Sequence, residues 1–338
     1  MIFWQMAALR SCRNITATST ARIFVMTSTP LKLIRRLSSP EMLCPTVVAH
    51  SAAAMGEPSA ATAQTRTLDL HGTPIAYRVL GREDAPVLLL LNRFRGTMDH
   101  WDPLLLDKLA VHRRVVMFDQ PGFARSGGVP ANSLGTYART AVEFAARLGI
   151  EKFDLLGFSM GGTVALQLML DHPAAVRRAV IAASGPGYVP GEVESNRPSP
   201  AEVWQVATKP TNSNEDFLYL FFEPSATSQQ AGKAYLDRLS HRKDAFAKQV
   251  EPQAWQSQLQ SVAAIREPDG SLLTRLGAVR HPVLVANGRH DIVVPTYASY
   301  AMAQALPNGT LKIYPDSGHG FLFQYPDDFA AEVIGFLE

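Results

Sequence analysis

Gly157-Phe158-Ser159-Met160-Gly161 lies where a β-rich apolar stretch, Lys152 to Phe158, gives way to a helix-like one, Thr163 to Leu170. A serine on so abrupt a strand-to-helix turn needs small residues two positions to either side, because larger side chains block the reversal that lifts its hydroxyl clear of the sheet. Gly157 and Gly161 supply that room. Such a pentapeptide turns up by chance in roughly one chain in ten of this length, so its surroundings decide its meaning.

Two residues downstream extend the pattern, each after its own apolar run. Pro282 to Ala286 reads as a buried strand, and the loop from Asn287 to Pro295 carries Asp291 at that strand's carboxyl end. Leu311 to Tyr314 reads as another short strand, after which Asp316-Ser317-Gly318-His319-Gly320 holds His319 between glycines. The order serine, aspartate, histidine is one of three used by the common Ser-His-Asp scaffolds, and the other two run differently.

With these residues in place the chain resembles the α/β-hydrolase family from about Thr65 to the C-terminus. Thr65 to Leu70 and Ile75 to Leu80, separated by His71-Gly72-Thr73-Pro74, look like its opening hairpin, and Val87 to Leu91 and Val115 to Asp119 like its next strands. Trp101 to Leu109, Leu134 to Leu148 and Val164 to Leu170 carry apolar residues at helical spacing, and Val176 to Ala183 reads as a strand again. The alternation predicts an α/β fold. The resemblance makes it a mostly parallel eight-stranded sheet with flanking helices and a helical cap after the sixth strand, dividing the chain into a core at 65–187 and 278–338 and a cap at 188–277.

The chemistry follows from the residue types. A serine hydroxyl is a poor nucleophile at neutral pH unless a base takes its proton. His319 is the expected base, and Asp291 would orient its imidazole and stabilise the cation formed as the proton moves. The resemblance implies two backbone donors for the oxyanion, the N–H of Met160 and that of Phe94 in the loop after the third strand. That loop, Asn92-Arg93-Phe94-Arg95-Gly96, departs from the usual His-Gly opening and is similar to a subgroup carrying an Arg-Phe-Arg-Gly run. Arg93 or Arg95 would select acidic substrates, or would bridge to Asp99 or Asp102 at a solvated helix start.

Rivals for each role are His290, adjacent to Asp291, and Asp119, in a loop the family generally uses structurally. Between Tyr188 and about Gly277 the alternation stops. Trp204, Phe217, Tyr219, Phe221, Phe222 and Trp255 give that stretch enough apolar surface to cover the site, and Trp204, Phe222 and Arg95 are the expected substrate contacts. The same aromatics would equally serve as packing between cap and body. Serine at position 159 argues against haloalkane dehalogenases and most epoxide hydrolases of this fold, which attack with aspartate. The elbow also resembles that of cofactor-free haloperoxidases. Carbon–carbon bond hydrolases and hydroxynitrile lyases share the same three residues, and some members keep the fold as receptors or scaffolds. The leading expectation is hydrolysis of a small ester-like substrate without cofactor or metal.

At 338 residues and 46% hydrophobic the chain can bury one substantial core with a cap. Its net charge of +2 comes from the first 64 residues, where Arg10, Arg13, Arg22, Lys32, Arg35 and Arg36 stand against Glu41 and Glu57. Beyond them 26 basic residues meet 28 acidic ones, a balance that gives no basis for nucleic-acid binding. Both cysteines, Cys12 and Cys44, fall in that leader, and no run of apolar residues is long enough to span a membrane. The leader reads either as a disordered mitochondrial transit peptide or as a start assigned too early, placing the protein in mitochondria or the cytoplasm. Oligomeric state is not legible.

Overall fold

A computed structural model describes residues 59–191 and 200–338, so the leader over residues 1–58 lies outside the described residues. The first hairpin pairs β1 (Arg66–Leu70) with β2 (Thr73–Leu80), and its two turn residues, His71 and Gly72, sit at φ 53° and 83°. Positive φ at both positions gives the turn whose twist matches that of its strands. Strands and helices then alternate through β3 (Val87–Leu91), α1 (Pro103–Ala110), β4 (Arg114–Phe118), α2 (Leu134–Arg147), β5 (Phe153–Phe158), α3 (Met160–Asp171) and β6 (Val176–Ala182). Next come α4 (Pro200–Ala207), α5 (Asn214–Phe221), α6 (Ala226–Ser240) and α7 (Pro252–Arg266). The chain ends with β7 (Val283–Gly288), α8 (Thr296–Ala305), β8 (Gly309–Tyr314), α9 (Phe321–Gln324) and α10 (Pro326–Leu337).

Among the described residues eight strands form one sheet in the order β1-β2-β4-β3-β5-β6-β7-β8. Only β2 runs antiparallel to its neighbours, and the pairings from β4 to β8 are parallel. The mostly parallel eight-stranded sheet that the family resemblance implies is therefore present. Its central strands read as unbroken apolar runs because each buries both faces. In β3, Leu88 and Leu90 point to one side with Leu105 and Leu109 of α1 and Phe329 and Val333 of α10. Leu89 and Leu91 point to the other, with Phe144 of α2, Leu168 of α3 and Met302 of α8. Side chains alternate across a strand, so an all-apolar strand requires helices on both faces.

Two boundaries differ from the sequence reading. The first flanking helix starts at Pro103, not Trp101, because Asp102 caps it by accepting from Leu104 N–H at 3.0 Å and proline occupies the first helical position. The folded unit also begins before residue 65. Ala63 is fully buried, Ala60 N–H donates to Asp107 Oδ1 at 2.6 Å, and Arg242 Nη1 donates to Ala63 O at 2.8 Å. Short alanines without charge gave these six residues no periodicity to betray their packing.

Candidate active site

Ser159 sits between β5 and α3 at φ 55° and ψ −123°, a conformation that costs a non-glycine residue on the order of 1–3 kcal/mol. The surroundings hold it there. Its N–H donates to Ala182 O at 2.8 Å, and the flanking backbones approach too closely for any side chain. A Cβ on Gly157 would lie 2.4 Å from Gly161 O, and one on Gly161 would lie 2.1 Å from Leu91 O. Both glycines are thus required by contact, as the turn chemistry predicts.

Asp291 follows β7 and is buried with one oxygen fixed by the chain: Oδ1 accepts from the N–H groups of Val293 and Val294, each at 2.8 Å. Its other oxygen, Oδ2, lies 2.7 Å from His319 Nδ1. His319 follows β8 and is also buried, its ring packed against Phe158 at 5.2 Å and Phe221 at 5.0 Å. Phe221 also accepts from Gly320 N–H through its carbonyl at 2.6 Å, so the end of α5 clasps the histidine loop. With Nδ1–H turned to the carboxylate, Nε2 is left as the basic nitrogen.

Ser159 and His319 line the same cavity, of about 1220 Å³. Among the described residues the serine hydroxyl makes no hydrogen bond, so the expected link between serine and imidazole is not made at rest. Such contacts commonly tighten only when substrate is bound. Met160 and Phe94 line the cavity too. Met160 opens α3, where an N–H has no intrahelical acceptor, and Phe94 N–H has no backbone or side-chain acceptor among the described residues.

The rivals are occupied elsewhere. His290 is exposed and its Nδ1 pairs with Glu223 Oε1. Asp119 is fully buried and accepts from Met98 N–H at 2.9 Å and Arg125 N–H at 3.4 Å, and burial pushes its carboxyl up to about 6.

The expected substrate contacts divide. Trp204 lines the cavity and meets Phe94 edge-on at 5.9 Å. Phe222 does not line it. That ring is buried against Gly232 and Tyr235 because the backbone after α5 turns it inward, and Phe217 and Phe221 take the wall instead. Arg95 lines the cavity, but its guanidinium donates to the carbonyls of Ala207, Lys209 and Pro210 at 3.2, 2.7 and 2.9 Å and stacks on Trp255. Neither arginine of the loop bridges to Asp99 or Asp102, since those acids pair with Arg78 and Arg125 and with Arg238. Sequence reasoning missed His100, which also lines the cavity; read as a helix flank, it carried no signal of its own.

Among the described residues no three His, Cys, Asp or Glu side chains are grouped to share a metal ion, and no helix is long and apolar enough to cross a membrane.

Sheet order, elbow and buried acid–imidazole pair are those of a hydrolase scaffold, and comparison with known proteins agrees. The model of the alpha/beta hydrolase fold family matches residues 86–326, and the chain belongs to that family. A solved structure described as an alpha/beta hydrolase fold protein from Chitinophaga pinensis is 32% identical, superposes with a TM-score of 0.74, and covers 83% of this chain and 99% of its own. The Agrobacterium fabrum protein named "Putative carbamate hydrolase RutD" is 28% identical over 265 residues, which is 77% of this chain and 97% of the relative. The Dechloromonas aromatica protein named 2-hydroxy-6-oxononadienedioate/2-hydroxy-6-oxononatrienedioate hydrolase 1 is 27% identical over 237 residues, 68% of this chain and 78% of the relative.

Proposed function

We propose that the protein is a serine hydrolase acting on a small ester-like substrate. The observation that carries this reading is the buried 2.7 Å pair of Asp291 and His319, which opens on the same cavity as a serine held at positive φ. Ser159 Oγ attacks the carbonyl carbon as its proton passes to His319 Nε2. The negative charge that develops on the carbonyl oxygen is met by the N–H groups of Met160 and Phe94. Collapse of the tetrahedral species breaks the bond to the leaving alcohol, which takes the proton from Nε2 and leaves an acyl group on Ser159. Water, deprotonated by the same nitrogen, then releases the acid. Asp291 holds the ring in the required tautomer and stabilises the imidazolium that forms.

Helices α4 to α7 are the lid in this reading, with Phe217, Phe221 and Trp204 excluding water from the carbonyl. Hydrolase names among the relatives support hydrolysis in general, and the Dechloromonas relative, named for a diacid substrate, favours carbon–carbon bond cleavage as the second reading.

A fluorophosphonate tests the mechanism, since covalent capture needs an activated serine beside an oxyanion hole. Intact-mass measurement is expected to show one adduct on the native protein and none on Ser159→Ala. An adduct on the variant, or none on the native protein, would overturn the proposal.

A further inference from the structure

Each of the buried arginines of the body has an acid. Arg78 lies 2.7 Å from Asp99 and Arg113 lies 3.3 Å from Asp154, and the half-buried Arg238 likewise lies 2.6 Å from Asp102. Arg93, on the cavity wall, has none among the described residues. Its Nη1 donates to Phe94 O at 2.8 Å, its Nε is buried without a partner, and its Nη2 makes no hydrogen bond. The guanidinium lies over the rings of Phe221 and Phe217, at 5.1 and 5.6 Å from their centroids. Ring contacts offset part of the cost of burying a cation, but they satisfy none of its five N–H donors. Burial lowers its pKa to about 10, which leaves it charged at neutral pH. Arg93 is half-buried and faces the cavity, so its open donors are turned to a space where a ligand can supply the missing counter-ion.

His100 adds a second donor on the same wall. Thr97 N–H donates to its Nδ1 at 3.1 Å, which places the ring proton on Nε2, and that nitrogen has no partner among the described residues. Burial first, and then the charges of Arg93 and Arg95, hold the imidazole neutral, so it donates without adding a second full charge. The wall as a whole is cationic: among its described residues Arg93, Arg95, Lys248 and Arg266 face the single acid Glu251. Arg95 is already engaged with three carbonyls and Arg266 is exposed over Trp204, which leaves Arg93 as the half-buried fork without a counter-ion.

We infer that Arg93 and His100 Nε2–H form a subsite for a carboxylate carried by the substrate, making the preferred substrate a half-ester of a short dicarboxylic acid. This deepens the serine-hydrolase reading and rests on it. A guanidinium edge matches a carboxylate in two parallel hydrogen bonds, and a lysine there would not. Phe221 joins the two ends of the site, since its ring is in contact with the guanidinium and with His319 alike. The carboxylate therefore binds on the stretch of wall that this ring shares with the imidazole, and the substrate's short hydrocarbon segment passes the edge of Phe221.

The test compares kcat/KM for the p-nitrophenyl half-ester of glutaric acid with that for p-nitrophenyl valerate, a neutral ester of equal chain length. The native enzyme is expected to favour the half-ester, and Arg93→Met to cut that preference by about 10- to 100-fold, the worth of a charge-assisted hydrogen bond. An unchanged ratio in a folded Arg93→Met enzyme would overturn the subsite. The native enzyme offers a second arm that does not depend on the variant's folding. Glutarate is expected to compete with the valerate ester and glutaramide to do so at least tenfold more weakly, whereas equal inhibition by the two would overturn the proposal. Failure of the fluorophosphonate to label Ser159 would count against the hydrolase mechanism alone. Calorimetric titration of glutarate and glutaramide into the native protein would then decide the subsite by the same preference.

Discussion

At the scale of single residues the site separates groups that react from groups that hold them. Asp291 does not touch the carbonyl in the proposed chemistry, yet it fixes which imidazole nitrogen is basic. Its Oδ1 is locked by two backbone N–H groups at 2.8 Å, so Oδ2 alone is presented to His319. Asp291→Asn would offer an NH₂ or a neutral carbonyl to Nδ1 and favour the wrong tautomer. The expected result is a fall in kcat of about 10⁴-fold with KM nearly unchanged, read from steady-state rates on the ester that the native enzyme turns over best. A rise in KM as the main effect would mean that Asp291 positions substrate instead. Arg93 illustrates what a sequence hides at this scale. Its run was legible, but its lack of a partner depends on Asp99 and Asp102 being claimed by Arg78, Arg125 and Arg238, which arrive from a strand, a loop and a helix elsewhere in the chain.

At the scale of elements, Arg95 couples the third-strand loop to the inserted helices. It adopts φ 55°, its N–H donates to Gln258 Oε1 on α7 at 2.7 Å, and its guanidinium gathers carbonyls at and beyond the C-terminus of α4. A cation there satisfies acceptors that the helix leaves open and opposes the negative end of its dipole. Arg95→Ala is expected to speed amide exchange in residues 200–214 by about tenfold, equivalent to roughly 1.4 kcal/mol, with little change across β3 to β6. Hydrogen-exchange mass spectrometry reads this directly, and uniform exchange in native and variant would remove the latch. The sheet was legible because its central strands are buried on both faces and read as apolar runs such as Val87 to Leu91. The helices of the insert were legible only as a break in alternation. Phe222 could not be told from Phe221, because one residue's difference in a helix end decides which ring meets the cavity.

At the scale of the whole molecule, two neighbouring buried acids set opposite responses to pH. Asp99 ties three parts of the fold together: Oδ1 lies 2.7 Å from Arg78 Nη2 on β2, and Oδ2 accepts from Arg125 Nη1 at 2.6 Å and from Phe246 N–H, beyond α6, at 2.9 Å. Burial works against its charge, but the Arg78 charge and the hydrogen bonds from Arg125 and Phe246 outweigh it and hold the carboxyl below its usual range. A depressed pKa contributes stability that is present above the unfolded value, about 3.9, and is lost as pH falls through the folded one. Asp119 behaves oppositely. Its carboxyl, raised to about 6 chiefly by burial and further by the charge of Asp99, binds protons in the folded state first, so its contribution improves as pH falls from about 6 towards 4. Asp99→Asn should strand Arg78 and Arg125 and lower unfolding free energy at pH 7 by about 3–5 kcal/mol, the cost of breaking a buried ion pair from one side. It should also flatten the loss of stability below pH 4 and, by removing a neighbouring charge, move the Asp119 transition to lower pH. Urea unfolding of both proteins at pH 7, 5 and 3.5 measures all three effects. A loss under about 1 kcal/mol at pH 7, the size expected of an exposed pair, would show that the network does not join these parts of the fold.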